Sequence, residues 1–124
     1  MKTVLVVDDE PALRAVLRAV LDDEGYAVFE APHGPAMLEL LARERADLVL
    51  LDVMMPGGDG RAAYRELRDR ADLPDVPVVM MSAAVRSDGL DPSIAAFLRK
   101  PFDLDRLLTL VASIIGPSHA DGTA

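Results

Sequence analysis

The sequence predicts an α/β sandwich built on a parallel sheet, and two observations predict it. Five short apolar runs, Thr3–Val7, Tyr26–Glu30, Asp47–Leu51, Pro77–Met81 and Ala95–Leu98, have the length and the Val, Leu, Ile and Phe content of buried strands. Between them lie stretches whose apolar residues recur at helical spacing. Strand and helix in regular alternation require parallel strands joined by crossover helices that cover both faces of the sheet. Right-handed crossovers leave few topologies.

The elements follow in order. The first strand, Thr3–Val7, runs into Asp8-Asp9-Glu10. Pro11 suits the first turn of a helix, with Asp9 or Glu10 as its cap. Leu13, Val16, Leu17, Val20 and Leu21 form that helix's apolar stripe. The second strand ends near Glu30, to which no role is assigned, and His33 in the following Pro32-His33-Gly34-Pro35 is read as exposed and inert. Met37, Leu38 and Leu41, with Leu40 alongside, give the second helix its inner face. The third strand ends in Asp52. Met54 and Met55 are adjacent and so face opposite ways, Met55 into the core and Met54 over the rim. Gly57-Gly58 and Asp59-Gly60 have the chemistry of a loop and a helix start. The fourth strand ends in Ser82 and the fifth leads to Lys100-Pro101. Leu104, Leu107, Leu108, Val111 and Ile115 stripe the last helix, which Gly116-Pro117 stops. Tyr26, Phe97 and Phe102 are read as packing aromatics, and Ser118–Ala124 as a polar tail that frays. The expected topology is the flavodoxin-like doubly wound (βα)5 sandwich, sheet order 2-1-3-4-5.

A chain of 124 residues holds one domain, and 51% hydrophobic with 27% charged residues is an ordinary globular balance. The formal net charge of −8 repels phosphate backbones and argues against direct nucleic-acid binding. Without cysteine there is no disulfide framework, thiolate metal site or cysteine nucleophile. The apolar run before Asp8 is too short for a signal peptide, and no stretch is long enough to span a bilayer. The expected location is therefore the cytoplasm, without membrane attachment.

In an open α/β sheet, ligands bind outside the carboxyl ends of the strands. There the sequence places Asp8-Asp9-Glu10, Asp52, Ser82 and Lys100 on one rim. Carboxylates packed together repel, and a cation relieves that. All-oxygen ligands favour a hard ion such as Mg²⁺, and nothing in the set favours zinc. Lys100 offers a compact charge and Ser82 a hydroxyl for phosphoryl oxygens. Phosphoryl transfer needs positioning and charge neutralisation above all. Singly, each residue has a plain alternative. Asp9 caps helices as readily as it binds metal, Ser82 reads as a turn residue and Lys100 as a surface charge. Asp52 is harder to dismiss, because an idle carboxylate behind the apolar run Leu48–Leu51 is costly if buried.

The runs Val6-Val7-Asp8-Asp9-Glu10 and Leu51-Asp52-Val53-Met54-Met55-Pro56-Gly57-Gly58-Asp59-Gly60, with Ser82-Ala83 and Lys100-Pro101-Phe102, resemble the motifs of response-regulator receiver domains. They occur in that family's order and cover Thr3 to about Ile115. The resemblance implies a phosphorelay switch in which Asp52 accepts a phosphoryl group from a sensor histidine kinase or phosphotransfer protein. It implies direct Mg²⁺ ligation by Asp9, Asp52 and the Met54 backbone carbonyl, and ligation through a water for Asp8. Ser82 and Lys100 would meet the phosphoryl group, Ser82 and Phe97 would act as switch residues, and the Lys100–Pro101 bond would be cis. The receiver would span residues 1–116, with 117–124 a flexible tail or the start of a linker. It would catalyse its own phosphorylation and dephosphorylation, turn over no external substrate, and signal to a downstream protein.

One departure stands out. Only fifteen positions separate Ser82 from Phe97, roughly a helical turn fewer than the family usually has. Gly89 and Pro92 disfavour a helix there, so the fourth helix is expected to be shortened or replaced by a loop. Two other functions compete. A phosphate-independent binding module has no need of the full set Asp9, Asp52, Ser82 and Lys100. An aspartate-nucleophile phosphatase usually carries its nucleophile after the first strand in an Asp-x-Asp pattern, where this chain has Asp8-Asp9-Glu10.

Overall fold

A computed structural model describes residues 1–55, 58–84 and 89–117. Five strands, β1 (Thr3–Val7), β2 (Ala27–Ala31), β3 (Leu48–Asp52), β6 (Val78–Ser82) and β7 (Ala96–Arg99), form one parallel sheet in the order β2-β1-β3-β6-β7. Counted along this sheet alone, that is the expected 2-1-3-4-5 order. Two short strands, β4 (Met54–Met55) and β5 (Gly58–Asp59), pair antiparallel beside it. Sequence reading expected a loop and a helix start there, without strands.

Four helices flank the sheet among the described residues: α1 (Pro11–Asp23), α2 (Gly34–Arg43), α3 (Gly60–Asp69) and α4 (Leu104–Ile115). Alternate strand residues face opposite layers, and the core divides accordingly. Val4, Val6, Leu48 and Leu50 pack with Leu17 and Leu21 of α1 and Leu107 and Val111 of α4. Leu5, Val7, Val49 and Leu51 pack with Met37 and Leu41 of α2 and Tyr64 and Leu67 of α3. β3 is buried on both faces, so its run carries no polar alternation. Val16, assigned to the inner stripe of α1, is instead 44% exposed. The stripe is narrower than the spacing implied, because Leu17 and Leu21 carry the contact.

Helix ends bring further corrections. Glu10 is the N-cap of α1, but its side chain makes no capping bond, and Asp9 does not cap. The Asp8 carboxylate accepts the Glu10 N–H instead, at 2.9 Å. His33 is exposed as expected but not inert: its Nδ1 accepts the Ala36 N–H at 3.1 Å and caps α2. Asp59 caps α3 through the Arg61 N–H. Gly116 closes α4 at φ 83°, a backbone that side-chain-bearing residues avoid.

In the segment of the fourth helix, no α-helix forms at Ala84 or across residues 89–95, where Gly89 alone is 3₁₀-helical, and Val85–Asp88 lie outside the described residues. An Asp91–Ile94 turn replaces it in part. The Ile94 N–H donates to the Asp91 carbonyl at 3.3 Å, and the Asp91 carboxylate accepts from the Ser93 N–H and hydroxyl at 2.9 and 2.7 Å. Asp first and Pro second suit a β-turn. The tail from Ser118 onward also lies outside the described residues.

Candidate functional site

Parallel strands deliver their carboxyl ends to one rim, and the sheet order puts those of β1, β3, β6 and β7 side by side. Four strands, β2, β3, β6 and β7, begin and end one residue later than the apolar runs suggested. Asp52 and Ser82 are therefore the last ladder residues of β3 and β6, in register with Met81 and Arg99. They are 4% and 1% exposed, and Asp8, just beyond β1, is fully buried.

The buried acids are organised around Lys100. Its Nζ donates to Asp8 Oδ2 at 2.8 Å and stands 3.5 Å from Asp52 Oδ2. Its backbone N–H donates to the Ser82 carbonyl at 3.0 Å, tying it to β6. The Lys100–Pro101 peptide is cis. Asp8 uses both oxygens, one for Lys100 and one for the Glu10 N–H. Asp52 Oδ1 accepts the Met54 N–H at 3.3 Å. The Ser82 hydroxyl oxygen accepts the Ala84 N–H at 3.1 Å.

Burial pushes the Asp52 carboxyl up to about 6, helped by the neighbouring Asp8 charge and opposed by Lys100 and the Met54 N–H. Burial alone would lower the Lys100 ammonium, but the Asp8 and Asp52 carboxylates outweigh it and hold the group above its usual value. Asp8, Asp9 and Asp52 each bring a carboxylate oxygen to within 4.8 Å of the others. One ammonium among three acids leaves this rim short of positive charge. An all-oxygen donor set with that deficit fits a hard divalent cation such as Mg²⁺.

Sequence-predicted residues thus converge: Asp8, Asp9, Asp52, Ser82 and Lys100 share the rim. Met54, next to Asp52, is 51% exposed, whereas Met55 is buried. Phe97 lies apart, half-buried in β7 opposite Met80 and against the α2–α3 layer. A cleft of about 710 Å³ lies near residues 41–47 and 72–77, at the amino ends of β3 and β6 and away from this chemistry.

Two contributors escaped sequence reading. A Cβ on Gly60 would sit 2.3 Å from the Asp52 carbonyl oxygen, so only glycine lets α3 start against the strand bearing Asp52. Arg14 donates from Nη1 to the Asp8 carbonyl at 2.6 Å and from Nε to Glu30 at 3.1 Å. The available signal was Arg14 and Arg18, like charges four apart on one helix face that call for a bridging acid.

The model of the response regulator receiver domain matches residues 4–112. The chain belongs to the response regulator receiver domain family. This receiver domain is 38% identical over 125 residues to the response regulator MprA of Mycobacterium leprae, an alignment covering 98% of this chain and 54% of that protein. It is 40% identical over 116 residues to MprA of Mycobacterium ulcerans, covering 90% and 49%. The receiver domain thus spans about half the length of the curated relatives it matches. Among solved structures, the response regulator TrrA of Thermotoga maritima, in complex with Mg(2+)-BeF, superposes with a TM-score of 0.81 at 34% identity, covering 92% of this chain and 99% of that one. The receiver domain of a sensor histidine kinase from Pseudomonas aeruginosa, with a magnesium ion in its active site cleft, gives 0.81 at 29%, covering 93% and 98%. Family membership makes this chain a signalling domain of two-component systems. Among the described residues no helix is long and apolar enough to cross a membrane.

Proposed function

We propose that this receiver domain accepts a phosphoryl group on Asp52, in a Mg²⁺-dependent reaction, from a partner histidine kinase or phosphotransfer protein. The observation that carries the reading is the pair of buried acids Asp8 and Asp52 held by partly buried Lys100, with Asp9 at the edge. A binding module independent of phosphate has no use for three acids held in mutual repulsion.

Asp52 supplies the nucleophilic oxygen: a P–O bond forms there as the bond from phosphorus to the donor breaks. Asp9, Asp52 and the Met54 carbonyl, with Asp8 acting through a water, would hold Mg²⁺, which would supply charge neutralisation for the transferred oxygens. Lys100 is within reach of Asp52 and pairs with the new charge, and Ser82 donates its hydroxyl to a phosphoryl oxygen. Ser82 and Phe97 then carry the change to the surface that a downstream protein reads. In this reading the domain promotes gain and loss of its own phosphoryl group and turns over no external substrate. It occupies residues 1–116, with 117–124 a tail or the start of a linker, and works in the cytoplasm.

The test is intact mass after incubation with a small acyl-phosphate donor and Mg²⁺. Wild type gains one phosphoryl mass and Asp52→Asn gains none. Equal labelling of that variant would overturn the assignment.

A further inference from the structure

We infer that Glu30 and Arg14 are positioning residues that fix the Asp8–Asp9 turn in the form that binds a divalent cation. The inference rests on the metal-dependent reading above and deepens it. Glu30, half-buried and next to last in β2, takes no part in the rim chemistry. Its carboxylate instead bridges two arginines of α1: Arg14 Nε donates to Oε1 at 3.1 Å, and Arg18 Nε donates to Oε2. Those two hydrogen bonds hold the Glu30 carboxyl below its ordinary range, against some burial.

Arg14 does two things at once. While Nε is held by Glu30, Nη1 donates to the backbone carbonyl of Asp8 at 2.6 Å. Asp8 is thereby anchored from three sides, and the Arg14 contact fixes the carbonyl of the peptide that leads to Asp9. The Asp8 N–H donates to Ala31 O at 3.2 Å, its carbonyl accepts from Arg14, and its carboxylate accepts from the Glu10 N–H and Lys100. Of the three clustered acids Asp8, Asp9 and Asp52, Asp9 is the one with no such anchor among the hydrogen bonds described, so its carboxylate goes where that peptide points. A planar guanidinium serves both partners through separate nitrogens held in a fixed fork, a geometry that a lysine's single rotatable ammonium does not reproduce.

Glu30 has a second effect. Arg14 carries a full positive charge against the backbone of Asp8. Paired with Glu30 it stays on the carbonyl side of the turn. Released, it is free to swing towards the acids and compete with the cation.

The test is Mg²⁺ binding by calorimetry on wild type, Glu30→Gln, Arg14→Lys and the double variant. Amide hydrogen exchange at Asp9 and Glu10 and the thermal midpoint of each protein are measured alongside. We expect the Mg²⁺ dissociation constant to rise on the order of tenfold in Glu30→Gln, in the range typical of residues that orient metal ligands. Exchange at Asp9 and Glu10 should quicken, and the double variant should be no worse than the weaker single one, because the pair acts as a unit. Labelling at saturating Mg²⁺ should stay within about twofold of wild type, since the nucleophile is untouched. Unchanged Mg²⁺ affinity, or a loss of affinity no greater than the loss of folded protein, overturns the inference. Wild type that binds no Mg²⁺ at all would overturn the metal-dependent reading itself, a different and separable failure.

Discussion

Gly60→Ala isolates the link between the fold and the phosphoacceptor. The added methyl would lie 2.3 Å from the Asp52 carbonyl oxygen, 3.0 Å from the Val53 Cα and 3.2 Å from the Asp52 carbonyl carbon. All three are backbone atoms, so no side chain can rotate away to make room. Two effects oppose each other. Alanine is worth up to about 1 kcal/mol over glycine in a helix interior, and less at the first position of α3. Against it, overpacking a tight contact costs about 1–3 kcal/mol, and more when backbone must move. The Gly60 N–H also donates to the Val53 carbonyl at 2.8 Å, a bond that the displacement strains. The overlap wins, and we expect a net loss of about 2–3 kcal/mol, read as a fall in the urea midpoint of roughly 1 M at an ordinary m-value. The same displacement moves Asp52, so labelling by an acyl phosphate should slow in the fraction that remains folded. Stability within about 0.5 kcal/mol of wild type, with undiminished labelling, would refute the close approach as a constraint.

Without divalent cation, Asp52 is more costly to ionise in the fold than in the unfolded chain. Stability should therefore be highest below about pH 4 for this group and fall as pH rises through about 6. Asp52→Asn should stabilise the protein by about 3 kcal/mol at pH 8, with the gap closing by pH 4 in paired urea titrations; a gap independent of pH would contradict the cause given. Asp9→Ala should need far more Mg²⁺ for half-maximal labelling, and full-rate labelling of chelator-treated wild type would count against the metal. Lys100→Ala leaves fully buried Asp8 without its cation and should cost about 3 kcal/mol, the low end for a broken buried pair. Lys100 is chosen at that end because its side chain keeps 18% exposure. The same variant should still be labelled on Asp52 but lose phosphate-dependent partner binding. Tyr64→Phe removes a hydroxyl that meets Ser93 Oγ at 2.7 Å and accepts from Arg68 Nε at 3.0 Å. About 1–2 kcal/mol should be lost, and Ser93→Ala should add little to it in a double-mutant cycle.

The sheet and the rim were legible because both depend on local pattern. Apolar runs bounded by acids set the strands, and alternation with helical stretches set the topology. Asp8, Asp9, Asp52, Ser82 and Lys100 could be brought together from sequence because parallel strands must present their carboxyl ends on one side. What sequence missed depends on contacts between distant segments. Val16 has the spacing of a core residue, but how far round α1 the sheet reaches is a matter of helix placement. Gly60 reads as a turn residue until the Asp52 carbonyl is seen against it. His33 looked idle because its partner is a backbone N–H, which no side-chain pattern records. The apolar runs themselves stop one residue short of Asp52 and Ser82, because neither residue is apolar. In this fold the ladder continues under the functional side chains, which is what holds them rigid. Glu30 and Arg14 are sixteen residues apart and meet only after β2 and α1 have packed.

The most direct measurement is the identity of the modified residue. After reaction with an acyl-phosphate donor and Mg²⁺, borohydride reduction converts an aspartyl phosphate to homoserine, which peptide mass spectrometry locates. The account predicts homoserine at position 52 alone, dependent on Mg²⁺ and abolished by chelator. Homoserine at position 8 or 9, or no conversion at any residue of fully folded protein, would contradict it.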